Sequence, residues 1–219
     1  MKIINILFWF LSVVFAQLPI PKTPFGISYG NTVNPKVIFE VFLDLHCPDS
    51  KEAFKISQYL LTNLPDKSIQ IKYHFYPLPY HPYAFPATAL AFAIAKEYPN
   101  QLLTYVNNTF NHLAEFYDIP HKSFQQVIDQ IVDIGVESGL ERSFLAASIQ
   151  EPINTNTAKQ AWKYGANRGV YATPQFYVNG VYVTDENVPA SVWFDLLNKL
   201  VSSSSVPVYV KKPTLSVQI

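Results

Sequence analysis

Cys47 is the one residue whose type and position point directly to chemistry, and it is the only cysteine among 219 residues. It follows an apolar run typical of a buried strand and precedes a helical pattern. Pro48 suits the first position of a helix, where no N–H donor is needed. A sulfur at a helix N-terminus lies near free backbone N–H groups and the positive end of the helix dipole, which favour the thiolate. This spacing predicts a nucleophilic thiol.

The neighbours of Cys47 modify this chemistry. Ser50 stands three positions later, where a dithiol site has its second, resolving cysteine. A hydroxyl there can donate a hydrogen bond to the thiolate. Asp49 slightly opposes thiolate formation, whereas His46 favours it when protonated. Because no second thiol is present, a mixed disulfide formed at Cys47 has to be reversed by an external thiol.

Strand and helix patterns place this cysteine at a junction. Val37–Leu45 is apolar on both faces, as expected of a central strand. Lys51–Asn63 is helical, and Ser68–Tyr76 alternates with period two, which predicts a second strand. A strand, a helix and a strand in this order make a right-handed βαβ crossover the default.

The remaining chain is mostly helical. The pattern is helical from Ala84 to about Gln150, with a capping-box sequence at Ser123-Phe-Gln-Gln126, and Thr155–Gly169 is one more helix. Two short strands joined by Asn179-Gly180, a strong hairpin signal, then precede an amphipathic helix at Pro189–Val201.

The N-terminus has the features of a secretory signal peptide. Met1-Lys2 is a positive start, Ile3–Phe15 is largely apolar, and a cleavage site precedes Gln17. An uncleaved membrane anchor is the alternative, but this run is too short to span a bilayer. We therefore expect a protein of the secretory pathway, secreted or in the endoplasmic reticulum lumen, with no membrane attachment after cleavage. Asn107, in the sequon Asn107-Asn108-Thr109, is the predicted glycosylation site.

Composition and cysteine count limit the kinds of molecule that this protein is expected to bind. Charged residues make up 15% and the formal net charge is zero, which argues against nucleic acid as a main partner. His74 and His81 have no cysteine or carboxylate at ligand spacing, so we predict no metal site. A secreted route permits disulfides, but one cysteine can form no internal bridge. The thiol is then free, capped, or paired to another molecule, such as a second copy in a disulfide-linked homodimer through Cys47.

The order of elements resembles the thioredoxin superfamily, and specifically its DsbA-like branch of thiol-disulfide oxidoreductases. Asp44-Leu-His-Cys-Pro-Asp-Ser50 is similar to the active-site junction of that family, normally Cys-x-x-Cys, and is here a degenerate Cys-x-x-Ser. Glu137-Ser-Gly-Leu140 is similar to a turn late in the family's helical insertion. The segment from Gly169 to Gly180 is similar to the loop that carries the family's cis-proline, followed by a hairpin.

The resemblance implies an α/β thioredoxin-like fold, a mixed central sheet with flanking helices, with an inserted all-helical domain. The corresponding segments are a signal peptide at 1–16, an extended lead-in at 17–34, the N-terminal thioredoxin part at 35–80, the helical insertion at 81–152, the C-terminal thioredoxin part at 153–201 and a flexible tail at 202–219.

The resemblance also implies a cis bond between Thr173 and Pro174, which would turn the Thr173 backbone towards the Cys47 sulfur. An extended peptide could pair there as an added strand. An ordinary trans-proline at the start of an edge strand is the alternative. On this reading Cys47 and Ser50 are catalytic.

Four residues would bind the substrate on the same reading: Pro48, Asp49, Thr173 and Pro174. The sequence also departs from the family, which commonly has a buried acid six positions before the cysteine. Val41 occupies that position, and Glu40, one residue away, points to the opposite face of the strand.

Two functions remain open. The first is a monothiol thiol-disulfide oxidoreductase that forms mixed disulfides through Cys47 with client protein or peptide thiols or with glutathione, which would be a co-substrate; no other cofactor is implied. The alternative is a catalytically inactive thioredoxin-fold module that binds peptides or proteins in the secretory pathway. Aromatic residues between prolines either line a peptide groove near Cys47 or only pack their loop: Tyr76, Tyr80, Tyr83 and Phe85.

Overall fold

A computed structural model of the chain describes residues 24–64, 68–117 and 122–202. The strands are β1 (Ile27–Gly30), β2 (Val37–Leu43), β3 (Ile69–Phe75), β4 (Gln175–Val178) and β5 (Val181–Thr184). The helices are α1 (Pro48–Asn63), α2 (Ala84–Glu97), α3 (Leu102–Asn111), α4 (Phe124–Glu137), α5 (Arg142–Gln150), α6 (Pro152–Asn167) and α7 (Ala190–Ser202). The predicted signal peptide and the tail beyond Ser202 lie outside the described residues, and the predicted domain boundaries stay predictions.

The strands form one mixed sheet in the order β1-β3-β2-β4-β5. β2 and β3 are parallel and α1 connects them, as the βαβ pattern predicts. The other neighbours are antiparallel. β2 lies at the centre with helices over both faces, which explains why Val37–Leu43 is almost continuously apolar.

β1 was not predicted as a strand. It lies within the stretch 17–34, which the sequence indicates only as an extended lead-in, and it pairs antiparallel with β3 at the edge of the sheet. Its four residues are partly exposed. A strand this short in a stretch rich in proline and glycine has too few residues to show a period of two.

The helical block from α2 to α5 shares one hydrophobic core with the sheet. A continuous cluster of buried side chains joins Phe39 and Val41 of β2 to Leu90 of α2, Phe110 of α3 and Ile131 of α4. The insertion therefore cannot be a separately folded appendage. None of the helices that the structure describes is long and apolar enough to cross a membrane.

Local signals in the sequence end and connect the elements as predicted. Ser123 and Gln126 form the capping box of α4, since each side chain accepts a hydrogen bond from the other residue's backbone N–H. Asn179 and Gly180 have positive φ angles of 49° and 81°, as the hairpin turn between β4 and β5 requires. Asn179 also accepts a hydrogen bond from the N–H of Ile38 at 2.8 Å, which ties this turn to the start of β2.

A buried ion network lies on the sheet face that α6 covers. The Glu40 carboxylate lies 2.8 Å from Nε2 of His74 and accepts hydrogen bonds from Arg168 at 2.6 and 3.1 Å. Burial raises the pKa of Glu40, but the hydrogen bonds and charges of His74 and Arg168 outweigh that effect and lower the pKa to about 2. The Arg168 guanidinium also lies 4.4 Å from the ring centroid of Tyr177.

The close approach of α6 to this face depends on a glycine. A Cβ atom at Gly165 would lie 2.5 Å from Cδ2 of Tyr76 and 3.3 Å from Cε1 of Phe42. The Tyr76 ring is itself stacked on Trp162, with centroids 5.9 Å apart, so it has little room to move away.

We expect Gly165→Ala to destabilise the fold by about 1–3 kcal/mol, because overpacking a filled interface forces the rings to shift. The helix propensity of alanine works in the opposite direction by at most about 1 kcal/mol. Urea unfolding of the variant measures the difference. Lys163→Ala, at an exposed position of the same helix, is the matched control. An unchanged or raised stability of Gly165→Ala would contradict the packing described.

We expect the stability that Glu40 contributes to depend on pH in a defined window. Its folded pKa lies below its unfolded pKa, so the contribution is present above about pH 4.5 and is lost as pH falls towards 2. Glu40→Gln should cost about 3 kcal/mol at pH 6, and this difference from the wild type should shrink by pH 3. Unfolding in urea at both pH values tests this.

Glu52→Gln is the control for that experiment, because Glu52 pairs with Lys55 at the surface. Exposed pairs of this kind contribute at most about 1 kcal/mol. A difference for Glu40→Gln that stays constant between pH 6 and pH 3 would show that the carboxylate is not held ionised by its partners.

Candidate functional site

The structure places Cys47 at the N-terminus of α1. Its backbone is extended, with φ −94° and ψ 125°, and Pro48 is the first residue of the helix. The Cys47 carbonyl accepts the first helical hydrogen bond, from the N–H of Lys51 at 3.2 Å. The thiol therefore lies where the free N–H groups and the dipole of α1 act on it. Only 5% of the residue is exposed.

The loop before β4 lies against this sulfur. The peptide bond between Thr173 and Pro174 is cis. The Cys47 thiol donates a hydrogen bond to the carbonyl oxygen of Thr173 at 3.3 Å, across 126 positions of the chain. The Cys47 junction and the Thr173–Pro174 loop, which were both singled out from the sequence, thus lie next to each other in the fold.

Ser50 is fully buried one turn into α1. Its Oγ accepts a hydrogen bond from the N–H of Asp44 at 3.1 Å. Relative to Cys47 as N-cap it is the third helical residue, the position whose side chain comes closest to the N-cap. The hydrogen bond from Ser50 to a thiolate stays a prediction.

Pro48 and Asp49 are exposed beside the buried sulfur. The carbonyl of Asp49 accepts a hydrogen bond from Asn187 at 2.9 Å, which ties the first turn of α1 to the loop before α7. An approaching molecule would meet these two residues and the Thr173–Pro174 loop. Their role in binding a substrate stays a prediction.

A buried carboxylate holds the loop before Cys47. The Oδ1 atom of Asp44 accepts a hydrogen bond from the N–H of His46 at 2.7 Å. Its Oδ2 atom accepts one from the N–H of Leu78 at 2.7 Å and lies 2.8 Å from Nδ1 of His81. Sequence reasoning did not assign this role to Asp44. An aspartate closing an apolar strand pattern is the signal that could have suggested it, because buried carboxylates need donors.

His46 does not supply the positive charge that its sequence position suggested. Burial and the nearby charge of His81 lower the pKa of His46 to about 3, so the ring is neutral at ordinary pH. The ring is stacked on Phe116 with centroids 4.0 Å apart. The backbone carbonyl oxygen of His46 accepts a hydrogen bond from the Tyr117 hydroxyl at 2.6 Å. The condition under which His46 was expected to favour the thiolate, protonation of its ring, is therefore not met at ordinary pH.

The sheet beneath the sulfur is apolar. Val41, at the position where the family commonly has an acid, is fully buried in the main core. Glu40 points to the other face of the sheet, where His74 and Arg168 hold it. The structure thus places no carboxylate from this part of β2 beneath Cys47.

The predicted aromatic and proline segment divides among three environments. Tyr76 is buried, whereas Tyr80 and Tyr83 line a pocket of about 380 Å³ next to His46. Phe85 lines a second pocket, of about 300 Å³, beside Trp162. Part of this segment therefore does face a cavity close to Cys47.

Two further predictions concern metal and glycan. In the ranges 24–64, 68–117 and 122–202, no cluster of three or more histidine, cysteine, aspartate or glutamate side chains could hold a metal ion. Asn107 is exposed on α3, while Thr109 of the same sequon is buried and donates to the carbonyl of Tyr105 at 2.8 Å. Glycosylation of Asn107 stays a prediction.

Comparisons with known proteins agree on the fold. A putative protein-disulfide isomerase from Pseudomonas syringae is 23% identical, with a TM-score of 0.66 over 78% of this chain and 97% of that chain. MdbA, a thiol-disulfide oxidoreductase from Actinomyces oris, is 18% identical, with a TM-score of 0.63 over 88% and 93%. The thiol-disulfide exchange protein alpha-DsbA2 from Wolbachia pipientis is 19% identical, with a TM-score of 0.61 over 80% and 87%.

No curated protein matches the sequence significantly. A thioredoxin family model, however, matches residues 22–198, which include the Cys47 junction, the helical block and the loop at Thr173–Pro174. That match spans most of the 219 residues, and the mixed sheet with a helical insertion agrees with it. The chain therefore belongs to the thioredoxin family.

Proposed function

We propose that this protein is a monothiol thiol-disulfide oxidoreductase of the DsbA-like type, which forms mixed disulfides through Cys47. The observation that carries the proposal is the Cys47 sulfur at the N-terminus of α1, 3.3 Å from the carbonyl of Thr173. Among the similar structures, MdbA is a thiol-disulfide oxidoreductase and alpha-DsbA2 is a thiol-disulfide exchange protein, which supports the same chemistry here.

The reaction begins when the Cys47 thiolate attacks one sulfur of a disulfide. A new bond forms between Cys47 and that sulfur, and the other sulfur leaves as a thiolate that takes up a proton. The disulfide is a client protein disulfide or glutathione disulfide. An external thiolate then attacks the mixed disulfide and releases Cys47, so that no net oxidant or reductant is consumed by the protein itself.

The Thr173 carbonyl gives the site a place for the client backbone. In the thiol form this carbonyl accepts the Cys47 S–H. The donor is lost when the sulfur enters a mixed disulfide, so the carbonyl becomes free for a backbone N–H of an extended client peptide. Formation of the mixed disulfide would therefore free the same Thr173 carbonyl oxygen that pairs with the client backbone.

One observation favours the second candidate, an inactive binding module. Only 5% of Cys47 is exposed, which limits the access of a disulfide to the sulfur. In that case the same Thr173 loop and the exposed Pro48 and Asp49 would bind a peptide without covalent capture.

We further propose that the chain enters the secretory pathway through the segment 1–16 and is secreted or kept in the endoplasmic reticulum lumen. A similar structure is of a periplasmic thioredoxin-like protein from Salmonella enterica serovar Typhimurium, which supports an extracytoplasmic setting. Glutathione as co-substrate and a homodimer linked through Cys47 belong to the same proposal.

Incubation with glutathione disulfide should convert the mature protein to a mixed disulfide at Cys47, visible as one added glutathione in the intact mass. Excess reduced glutathione should reverse it, because an external thiol is the only resolving group. Cys47→Ser is the blank. A non-reducing gel of the same samples reports any disulfide-linked dimer. If the sulfur reacts with no disulfide while the protein is folded, the inactive module is the correct reading.

The Ser50 position offers a gain-of-function test. We expect Ser50→Cys to shorten the lifetime of a preformed mixed disulfide at Cys47 by at least about tenfold, because an internal thiol at the third helical position competes with external thiols. Ser50→Ala, which also removes the acceptor of the Asp44 N–H, is the control and should not shorten it. Release is followed by reverse-phase chromatography. Equal lifetimes in both variants would mean that this position cannot reach the mixed disulfide.

A further inference from the structure

A pocket of about 380 Å³ lies between the loop after β3 and the segment that follows α3. Its walls include the rings of Tyr80, Tyr83, Phe116, Tyr117 and His46. This volume is at the small end of ligand pockets, which span about 300–1,000 Å³. It suits one large side chain rather than a cofactor.

The pocket lies beside the Cys47 site. His46 directly precedes Cys47, and the Tyr117 hydroxyl donates to the His46 carbonyl at 2.6 Å. Tyr80 lies near enough to the sulfur that, after burial, the charge of Cys47 is the next cause that raises the pKa of its hydroxyl. A peptide joined to Cys47 therefore has this pocket within reach of the residues next to its cysteine.

His46, which lines the pocket, has a polar atom without a partner. Nε2 of His46 is buried and makes no hydrogen bond with any residue that the structure describes. Only 3% of His46 is exposed, and its stacking on Phe116 fixes the plane of the ring. A buried nitrogen in this state is unfavourable until a ligand supplies the missing hydrogen bond.

The chemistry of the pocket selects its occupant. Aromatic rings favour an aromatic guest through stacked and edge-to-face contacts. Neutral imidazole has one donor and one acceptor nitrogen, and a phenol hydroxyl can serve either, because it both donates and accepts. A phenylalanine or leucine side chain would fill the same space and leave Nε2 of His46 unsatisfied.

We propose that this pocket binds the side chain of a tyrosine adjacent to the reactive cysteine of the client, with the tyrosine hydroxyl bonded to Nε2 of His46. The inference rests on the proposed function, because it assigns a client preference to the same site. His46 is then a residue that determines specificity, and Cys47 remains the nucleophile.

The test compares exchange rates of matched peptide disulfides. Five-residue peptides carry tyrosine, phenylalanine or alanine on either side of a central cysteine that is joined to glutathione. The rate of peptide transfer to Cys47 is followed by mass. For at least one of the two placements we expect tyrosine to exceed phenylalanine about 5–10-fold, the value of one hydrogen bond, and phenylalanine to exceed alanine.

His46→Phe identifies the group responsible, since it keeps the ring on Phe116 and removes both nitrogens. The tyrosine-to-phenylalanine ratio should fall to about one, and this ratio is insensitive to any change in thiol reactivity common to all peptides. Lys199→Gln, at an exposed position of α7 and not among the residues that line the pocket, should keep the wild-type ratio. The wild-type comparison stands even if His46→Phe does not fold.

Equal rates for tyrosine and phenylalanine peptides in the wild type would overturn the inference, as would a ratio that His46→Phe leaves unchanged. Reaction with glutathione disulfide alone reports on the proposed function separately. If Cys47 reacts with no disulfide, the pocket is tested by calorimetry with the same peptides S-methylated at cysteine. Equal affinities for the tyrosine and phenylalanine forms then overturn it.

Discussion

The carboxylate of Asp44 is the constraint on which the site depends. It is fully buried, and a buried charge is tolerated only where donors surround it. Here the donors come from the backbone of His46 and Leu78 and from the His81 ring, at 2.7–2.8 Å. These groups belong to two loops at the same edge of the sheet, one after β2 and one after β3. The carboxylate therefore sets the distance between the loop that carries Cys47 and the loop that carries the aromatic pocket.

Ser50 extends this constraint into the helix. Its hydroxyl oxygen accepts a hydrogen bond from the Asp44 N–H, so the residue that follows β2 and the first turn of α1 are joined directly. A cysteine at this position would be a weaker acceptor. The residue that replaces a resolving thiol thus has a structural role of its own, which explains how the junction keeps its geometry with one sulfur. Ser50 can therefore hold the junction together through its hydrogen bond, although a hydroxyl cannot release a mixed disulfide as a second thiol does.

Most of the fold could be predicted because it follows from local patterns. The βαβ unit, the helical block, the capping box at Ser123 and the hairpin at Asn179-Gly180 each depend on residues close in sequence. β1 could not be predicted, because its four residues gain their pairing only from β3. The helical patterns in the block are long and periodic, so the order of its helices could also be predicted.

The residues of the site could be predicted from the sequence, but their charge states and ion pairs could not. The resemblance to a family brought Cys47 and Thr173 together, and the structure places them 3.3 Å apart. The neutral state of His46 follows from burial by Phe116, which lies 70 positions away and gives no signal at the cysteine. The partnership of Glu40 with Arg168, 128 positions apart, likewise depends on how the end of α6 packs on the sheet.

The placement of charge on the two faces of β2 has a chemical consequence. Glu40 is held ionised by His74 and Arg168 on the face away from Cys47, and Val41 makes the other face apolar. His46 is neutral as well, so it adds no positive charge beside the thiol. Under the proposed function, the thiolate of Cys47 would be stabilised by α1 and by the predicted hydrogen bond from Ser50, and the proton for the leaving sulfur would come from the client or from solvent. The proposed cycle therefore depends on external thiols for release, because the chain has no second cysteine for internal exchange.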